Sequence, residues 1–162
     1  MRSHARWPAR TASLVGAIAL LVGAVVHTQG AAKFDSNKAW EHLRQQVSFG
    51  PRPAGSAAVA QTREYILAQL KAAGITARQD AFDGDTPLGK VKMVNIIVTI
   101  PGRRTDRIVI ATHFDTKLFR EFRFLGASDA ASSTAATLEL GRVLKARQND
   151  YTIELLFLDG EE

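Results

Sequence analysis

The chain has 162 residues and no cysteine; 46% of the residues are hydrophobic and 23% are charged. This length and composition suit one globular domain with a buried core, and they exclude a disordered, collagen-like or coiled-coil protein. Without cysteine the chain can form neither a disulfide framework nor a thiolate metal site, so any metal must bind His, Asp, Glu or water.

Residues 1–32 have the composition of a targeting segment. Arg2, Arg6 and Arg10 precede an apolar stretch that begins at Ala12, and small residues follow it. This pattern predicts a secretory signal peptide and therefore export to the periplasm or the extracellular space, with an uncleaved amino-terminal membrane anchor as the alternative. Residues 33–162 would then belong to the mature domain.

The charge of the mature domain argues against a nucleic-acid partner. The whole chain has 21 basic and 16 acidic side chains, a formal charge of +5, and three of the basic ones lie in residues 1–32. The remaining 18 basic and 16 acidic side chains leave a charge of only +2, and the sequence has no basic stripe interleaved with aromatic residues. We therefore expect no nucleic acid as a partner, and membrane contact only through an uncleaved amino-terminal segment.

Two helices are predicted first in the mature domain. One covers about residues 37–47 with Asp35 or Ser36 as its cap, and the other runs from a Ser56 cap to Ala73. The apolar residues expected to face inward at helical spacing are Trp40, Leu43 and Val47 in the first helix, and Val59, Ile66 and Leu70 in the second. The proline-rich and glycine-rich loop between them, FGPRPAGS, is typical of a rigid connector.

The rest of the chain alternates strands with one helix. The predicted elements are an edge strand at 75–82, strands at 91–100 and 108–112, a helix at about 130–146 and a final strand at 153–158. The short link between the second and third strands predicts that they are neighbours. A strand, a helix and a strand in succession indicate a crossover, and therefore an α/β fold with a partly parallel sheet.

The final strand ends in three carboxylates, Asp159, Glu161 and Glu162. Ligands bind at the carboxyl ends of strands in open α/β sheets, and a cation would offset the repulsion among neighbouring carboxylates. A metal site is one interpretation of this ending, and a solvated acidic turn is the other.

Other residues of the metal-binding type lie at neighbouring ends of elements. His113 and Asp115 follow the third strand, and their spacing points both side chains the same way. Asp129 lies just before the predicted helix of small residues. Taken singly, a pair such as His113 and Asp115 more often forms a hydrogen bond at the surface, and a residue such as Asp129 more often caps a helix. Their occurrence at successive strand and helix ends favours a shared site.

Three segments in this order, IVIATHFDTKLF, FLGASDAASSTAATLELGRVL and IELLFLDGEE, resemble the zinc-dependent aminopeptidase family that also contains the glutaminyl cyclases. HFDTKLF and the Asp-Gly-Glu-Glu ending are more similar to the glutaminyl-peptide cyclotransferase branch. The resemblance covers about residues 49–162 and implies a three-layer α/β/α fold with a mixed, largely parallel central sheet.

The resemblance also implies roles for individual residues. Asp129 and Glu162 would be zinc ligands, Glu161 the general acid/base, and His113 a ligand of a second zinc where two are bound. Asp115 would support the site by orienting His113. The resemblance gives Asp159 no defined role, and we expect it to support the site only through hydrogen bonds nearby. The cofactor would accordingly be one or two zinc ions, and the partners would be the amino termini of peptides or proteins.

Three functions are compatible with these expectations. The first is a cyclotransferase that converts an amino-terminal Gln to pyroglutamate and releases ammonia. The second is a zinc aminopeptidase, and the third is an inactive exported binding domain. The family's last zinc-binding His and a further acidic residue would lie beyond Glu162. We therefore expect this chain to be an amino-terminal fragment, truncated after the strand that ends in Asp-Gly-Glu-Glu and inactive by itself.

Overall fold

The structure, a computed structural model, describes residues 32–162. The predicted signal peptide lies outside the described residues except for its last position, Ala32. None of the helices within this described range has the length and apolar character needed to cross a membrane.

Residues 32–162 form three α-helices, of which the first two are capped by a side chain. Helix α1 covers Ser36–Ser48, and the side chain of Asp35 caps it by accepting hydrogen bonds from two backbone N–H groups. Helix α2 covers Ala57–Ala72 and is capped by Ser56, as predicted. Helix α3 covers Ser133–Lys145 and follows a π-helical turn at Ala127–Ser132, so it begins three residues later than predicted.

The inward face of α1 differs from the prediction, whereas that of α2 agrees with it. Val59, Ile66 and Leu70 of α2 are buried. In α1, Trp40 is 60% exposed and the buried residue is Gln46. The amide of Gln46 donates to the Ala131 carbonyl at 3.2 Å, so a polar contact decides how α1 packs against the turn before α3.

The segment before α1 is attached to α3. The carboxylate of Glu139, which is fully buried, accepts the Asp35 N–H at 2.7 Å. The same carboxylate pairs with Arg142 at 2.6 Å, and Arg142 also donates to the Lys33 carbonyl at 2.8 Å. The hydrogen bonds from Arg142 and Asp35 lower the pKa of Glu139 although burial, the largest influence, raises it.

In the part of the chain that the structure describes, four strands form one mixed sheet. They are β1 (Ala77–Thr86), β2 (Gly89–Ile100), β3 (Arg104–His113) and β4 (Tyr151–Leu158), in the spatial order β1-β2-β4-β3. The pairs β1–β2 and β2–β4 are antiparallel, and β3–β4 is parallel across the α3 crossover. The predicted α/β class, mixed sheet and crossover are confirmed.

The prediction that the second and third strands are neighbours is wrong, because β4 lies between them. Three linking residues can span about 10 Å, which is roughly two strand spacings. The link passes close over the start of β4, where a Cβ on Gly102 would clash with the Tyr151 backbone. The more apolar β4 therefore takes the inner position, with neighbours on both sides.

The apolar core lies on one face of the sheet. Alternate residues of β4, Ile153, Leu155 and Phe157, pack with side chains from α2 and α3. On the opposite face Leu156 is half-buried and Val109 is 53% exposed. Within residues 32–162 the helices thus cover one face, and the second outer layer of the expected three-layer arrangement is not among these residues.

Candidate active site

The end of β3 delivers two polar side chains on either side of a buried anchor. Phe114 is fully buried in the core, and its N–H donates to the Leu158 carbonyl at 3.0 Å, which continues the parallel pairing with β4. Strand alternation then places His113 and Asp115 on the other side. Their side chains meet, with His113 Nδ1 and Asp115 Oδ1 3.2 Å apart.

Asp115 joins the ends of the two parallel strands. Its carboxylate is fully buried and accepts the backbone N–H groups of Glu161 at 3.3 Å and of Glu162 at 3.2 Å. One side chain thereby orients the His113 ring and fixes the backbone that carries both glutamates. Because three groups share this carboxylate, displacement of either strand end would disturb all of them.

The turn before α3 brings Asp129 to the same place. Asp129 has non-helical backbone angles inside the turn, and its Oδ1 lies 2.9 Å from His113 Nε2. Besides burial, the negative charge of Asp129 raises the pKa of Glu162, so these two carboxylates are near neighbours. Gly126 occupies the cap position of the turn and no side chain caps it, so Asp129 is not the helix cap that its position also suggested.

The two glutamates differ in exposure. Glu161 is 57% exposed at its side chain, and its Oε2 lies 3.8 Å from His113 Nε2. The Glu162 side chain is only 13% exposed and pairs with Lys117 at 3.8 Å. Burial raises the pKa of Glu162, and the negative charge of Asp129 adds to this effect. Glu161 is therefore the carboxylate open to an approaching molecule, and Glu162 the one held inside.

Asp159 lies apart from this group, on the β2 side of β4. Its Oδ2 accepts the Val94 N–H at 3.0 Å, and its own N–H donates to Asn95 Oδ1 at 2.9 Å. Burial raises the pKa of Asp159, and the nearby charge of Asp115 contributes to this. The side chain thus fastens β4 to β2, and the structure shows no direct contact between Asp159 and either His113 or Asp129 within the described residues.

Arg52 is a buried residue of this region that the sequence did not single out. Its guanidinium is fully buried and donates to five backbone carbonyls. The acceptors are Phe114, Gln46, Gly50, Leu125 and Gly126, at 2.9–3.2 Å. The FGPRPAGS loop is therefore more than the connector that its residues suggested, because it supports the chain on both sides of the site.

The donor atoms suit a zinc ion, although residues 32–162 contain no group of three or more His, Asp or Glu side chains with the spacing of a complete metal site. Both ring nitrogens of His113 face carboxylates, those of Asp115 and Asp129. The contact of Nδ1 with Asp115 orients the ring so that Nε2 points at the Asp129 carboxylate, as in metal-ligating histidines whose other ring nitrogen is held by a carboxylate. An imidazole nitrogen and a carboxylate are both zinc ligand types, so the residues fit that group.

Comparison with known proteins agrees with this geometry. The model of Peptidase family M28 matches residues 95–162, the part that contains His113, Asp129 and both glutamates. Residues 95–162 are thus similar to peptidase family M28. The matched segment includes β3, α3, β4 and the ends of elements that converge on Asp115.

Similar proteins include glutaminyl cyclases and an exopeptidase. The mouse (Mus musculus) glutaminyl-peptide cyclotransferase-like protein is 35% identical over 122 residues, which are 68% of this chain and 32% of the mouse protein. A solved Acidobacteriales bacterium glutaminyl cyclase is 36% identical, with a TM-score of 0.74 over 83% of this chain and 48% of that one. A Zn-dependent exopeptidase from Parabacteroides distasonis is 25% identical, with a TM-score of 0.72 over 81% and 48%.

These matches show that the α/β fold is that of the solved glutaminyl cyclase and of the Zn-dependent exopeptidase. The chain spans about a third of the curated mouse relative and about half of the two solved structures.

Proposed function

We propose that the full-length protein is a zinc-dependent glutaminyl-peptide cyclotransferase that converts the amino-terminal Gln of peptides to pyroglutamate. The observation that carries the proposal is the convergence of His113, Asp129, Glu161 and Glu162 around the buried Asp115. The similarity to glutaminyl cyclases at 35–36% identity supports this reaction over others.

In this proposal Asp129 and Glu162 hold the zinc, and His113 holds a second zinc if two are bound. A bound zinc would polarise the carbonyl of the glutamine side-chain amide. Asp115 keeps His113 and the 161–162 backbone in place, and Lys117 offsets part of the negative charge beside Glu162.

Glu161 carries the proton. Its exposed carboxylate would take a proton from the substrate α-amine as that nitrogen forms a bond to the side-chain amide carbon. The bond between this carbon and the amide nitrogen then breaks, and Glu161 gives the proton to the departing ammonia. The α-amine nitrogen ends in the five-membered ring, so atoms and charges balance.

An aminopeptidase is the second candidate, and the match of residues 95–162 to the model of Peptidase family M28 favours it. The same site would then hydrolyse the first peptide bond, with Glu161 taking a proton from the attacking water. The resemblance to a Zn-dependent exopeptidase supports a bound zinc for both the cyclotransferase and the aminopeptidase.

Mass spectrometry distinguishes the cyclotransferase from the aminopeptidase. A peptide that begins with Gln is incubated with the full-length, zinc-loaded protein and its mass is then measured. Loss of ammonia with every residue retained is the expected result, and Glu161→Gln should lower the rate by about 100-fold or more. Glu64→Gln, which removes an equal charge from the exposed surface of α2, serves as the control. Release of the first residue, with no pyroglutamate formed, would refute the cyclotransferase.

A further inference from the structure

A cavity opens directly beside Glu162. It has a volume of about 660 Å³, which lies within the usual range of small-ligand sites, roughly 300–1,000 Å³. Its walls come from three segments: the loop at 53–56, the tip of the β1–β2 hairpin at 86–88 with Val91, and the segment at 116–120. We call it the hairpin cavity.

Two walls of the hairpin cavity are in tight contact with each other. A Cβ on Gly55 would lie 2.6 Å from Val91 Cγ1, so the loop at 53–56 fits against the hairpin only because residue 55 is glycine. Gly55 also has a positive φ of 78°, which favours glycine. The cavity is therefore built by the packing of the loop on the hairpin.

The charges around the hairpin cavity are unequal. Lys117 and Arg120 are exposed along one wall, and Glu162 is the single carboxylate among the lining residues. Lys117 pairs with Glu162 at 3.8 Å, whereas no carboxylate of residues 32–162 lies within 4 Å of the Arg120 guanidinium. The opposite wall offers apolar surface, including Leu88, which is 63% exposed. The cavity thus combines apolar contact with an excess of positive charge.

We propose that the hairpin cavity receives the substrate residue that follows the amino-terminal one, and that Lys117 and Arg120 select a side chain with a carboxylate there. The inference rests on the proposed function, because it needs the amino-terminal residue at the site of Glu161 and Glu162. An extended peptide held there continues past Glu162, and the hairpin cavity is the opening that Glu162 lines. The favoured substrates are peptides that begin Gln-Glu or Gln-Asp.

The test compares two peptides that differ only at the second residue, Gln-Glu and Gln-Lys, each with a fluorophore at its carboxyl end. We measure kcat/KM on the full-length, zinc-loaded protein, and peptide affinity by fluorescence anisotropy on its Glu161→Gln variant. Two exposed charge contacts predict a preference of about tenfold for the Gln-Glu peptide. The preference should shrink at high salt, because exposed charges are screened.

Arg120→Glu should abolish or invert this preference. Arg123→Glu, which makes the same change of charge, is the matched control, since Arg123 is exposed on the same segment but does not line the cavity. Equal kcat/KM and equal affinity for the two peptides, or an Arg120→Glu variant that keeps the wild-type preference, would overturn the inference. The same conclusion follows if Arg123→Glu changes the preference as much as Arg120→Glu, because the effect would then be that of surface charge in general.

The two measurements separate this inference from the proposed function. If pyroglutamate forms equally from both peptides and their affinities are equal, the reaction stands and the hairpin cavity is not selective. If neither peptide is converted but the Gln-Glu peptide binds about tenfold more tightly, the selectivity stands and the cyclotransferase is refuted.

Discussion

Replacing the buried Arg52 by Met should destabilise the protein by about 3 kcal/mol. Five carbonyls accept hydrogen bonds from its guanidinium at 2.9–3.2 Å. Those of Gln46 and Gly126 also accept a backbone N–H, so the change would orphan the other three, of Phe114, Gly50 and Leu125. At about 1.5 kcal/mol for each orphaned buried acceptor the loss is about 4–5 kcal/mol. Burial lowers the pKa of Arg52 to about 10, which shows that the charge is costly to bury. Removing this buried charge offsets part of the stability that the lost hydrogen bonds supplied, and a net destabilisation of about 3 kcal/mol remains.

The assay is urea unfolding of the full-length, zinc-loaded protein at pH 7, followed by circular dichroism. Arg52→Lys should lose roughly half as much free energy of unfolding as Arg52→Met, because an ammonium keeps the charge but cannot reach all five carbonyls. Arg44→Met is the control; Arg44 is exposed and pairs only with exposed Glu41, so the change should be under about 0.5 kcal/mol. If Arg52→Met and Arg44→Met have the same stability, the five hydrogen bonds do not stabilise the fold as argued.

Two further predictions concern stability. Glu139→Gln should cost about 2 kcal/mol at pH 7, because charged hydrogen bonds with Arg142 are lost. The folded pKa of Glu139 lies below its ordinary value of 4.5, so this contribution is complete above pH 4.5 and is lost as pH falls through the folded pKa. Urea unfolding from pH 7 to pH 3 should show the two proteins converging; a constant difference would contradict this. Gly126→Ala should cost about 2–3 kcal/mol, because a Cβ would clash with the Asp129 carbonyl at a positive φ of 55°. Gly74→Ala, also at positive φ but with nothing within 4 Å of the new Cβ, should cost only about 1 kcal/mol in the same assay, and equal costs would refute the clash.

The parts of the fold that depend on neighbouring residues were predictable. Ser56 caps α2 because its side chain can reach the Val59 N–H three residues ahead, and this is visible in the sequence. The alternation of His113 and Asp115 follows equally from local strand geometry. The convergence of strand ends follows from the crossover, so the sequence also predicted which residues would approach each other.

What the sequence did not show depends on contacts between distant segments. The order β2-β4-β3 results from competition among strands for the inner position, and a short link is compatible with either arrangement. An arginine in a proline-rich loop is usually exposed, and only the folded chain brings five carbonyls around Arg52. Trp40 has helical spacing with Leu43, but α1 packs through the polar contact of Gln46, and Trp40 is exposed whereas Leu43 is half-buried. These are nonlocal choices, which periodicity does not encode.

The attachment of the segment before α1 determines where mechanical load enters the domain. Tension applied through residue 32 reaches the bonds from Lys33 to Arg142 and from Asp35 to Glu139 before it reaches the body of α1. Force on the amino terminus would therefore be transmitted first to α3, next to the core, and only from there to β3 and β4. A tether at this end of the chain would accordingly load the helix layer before the strand ends that carry His113 and Glu161.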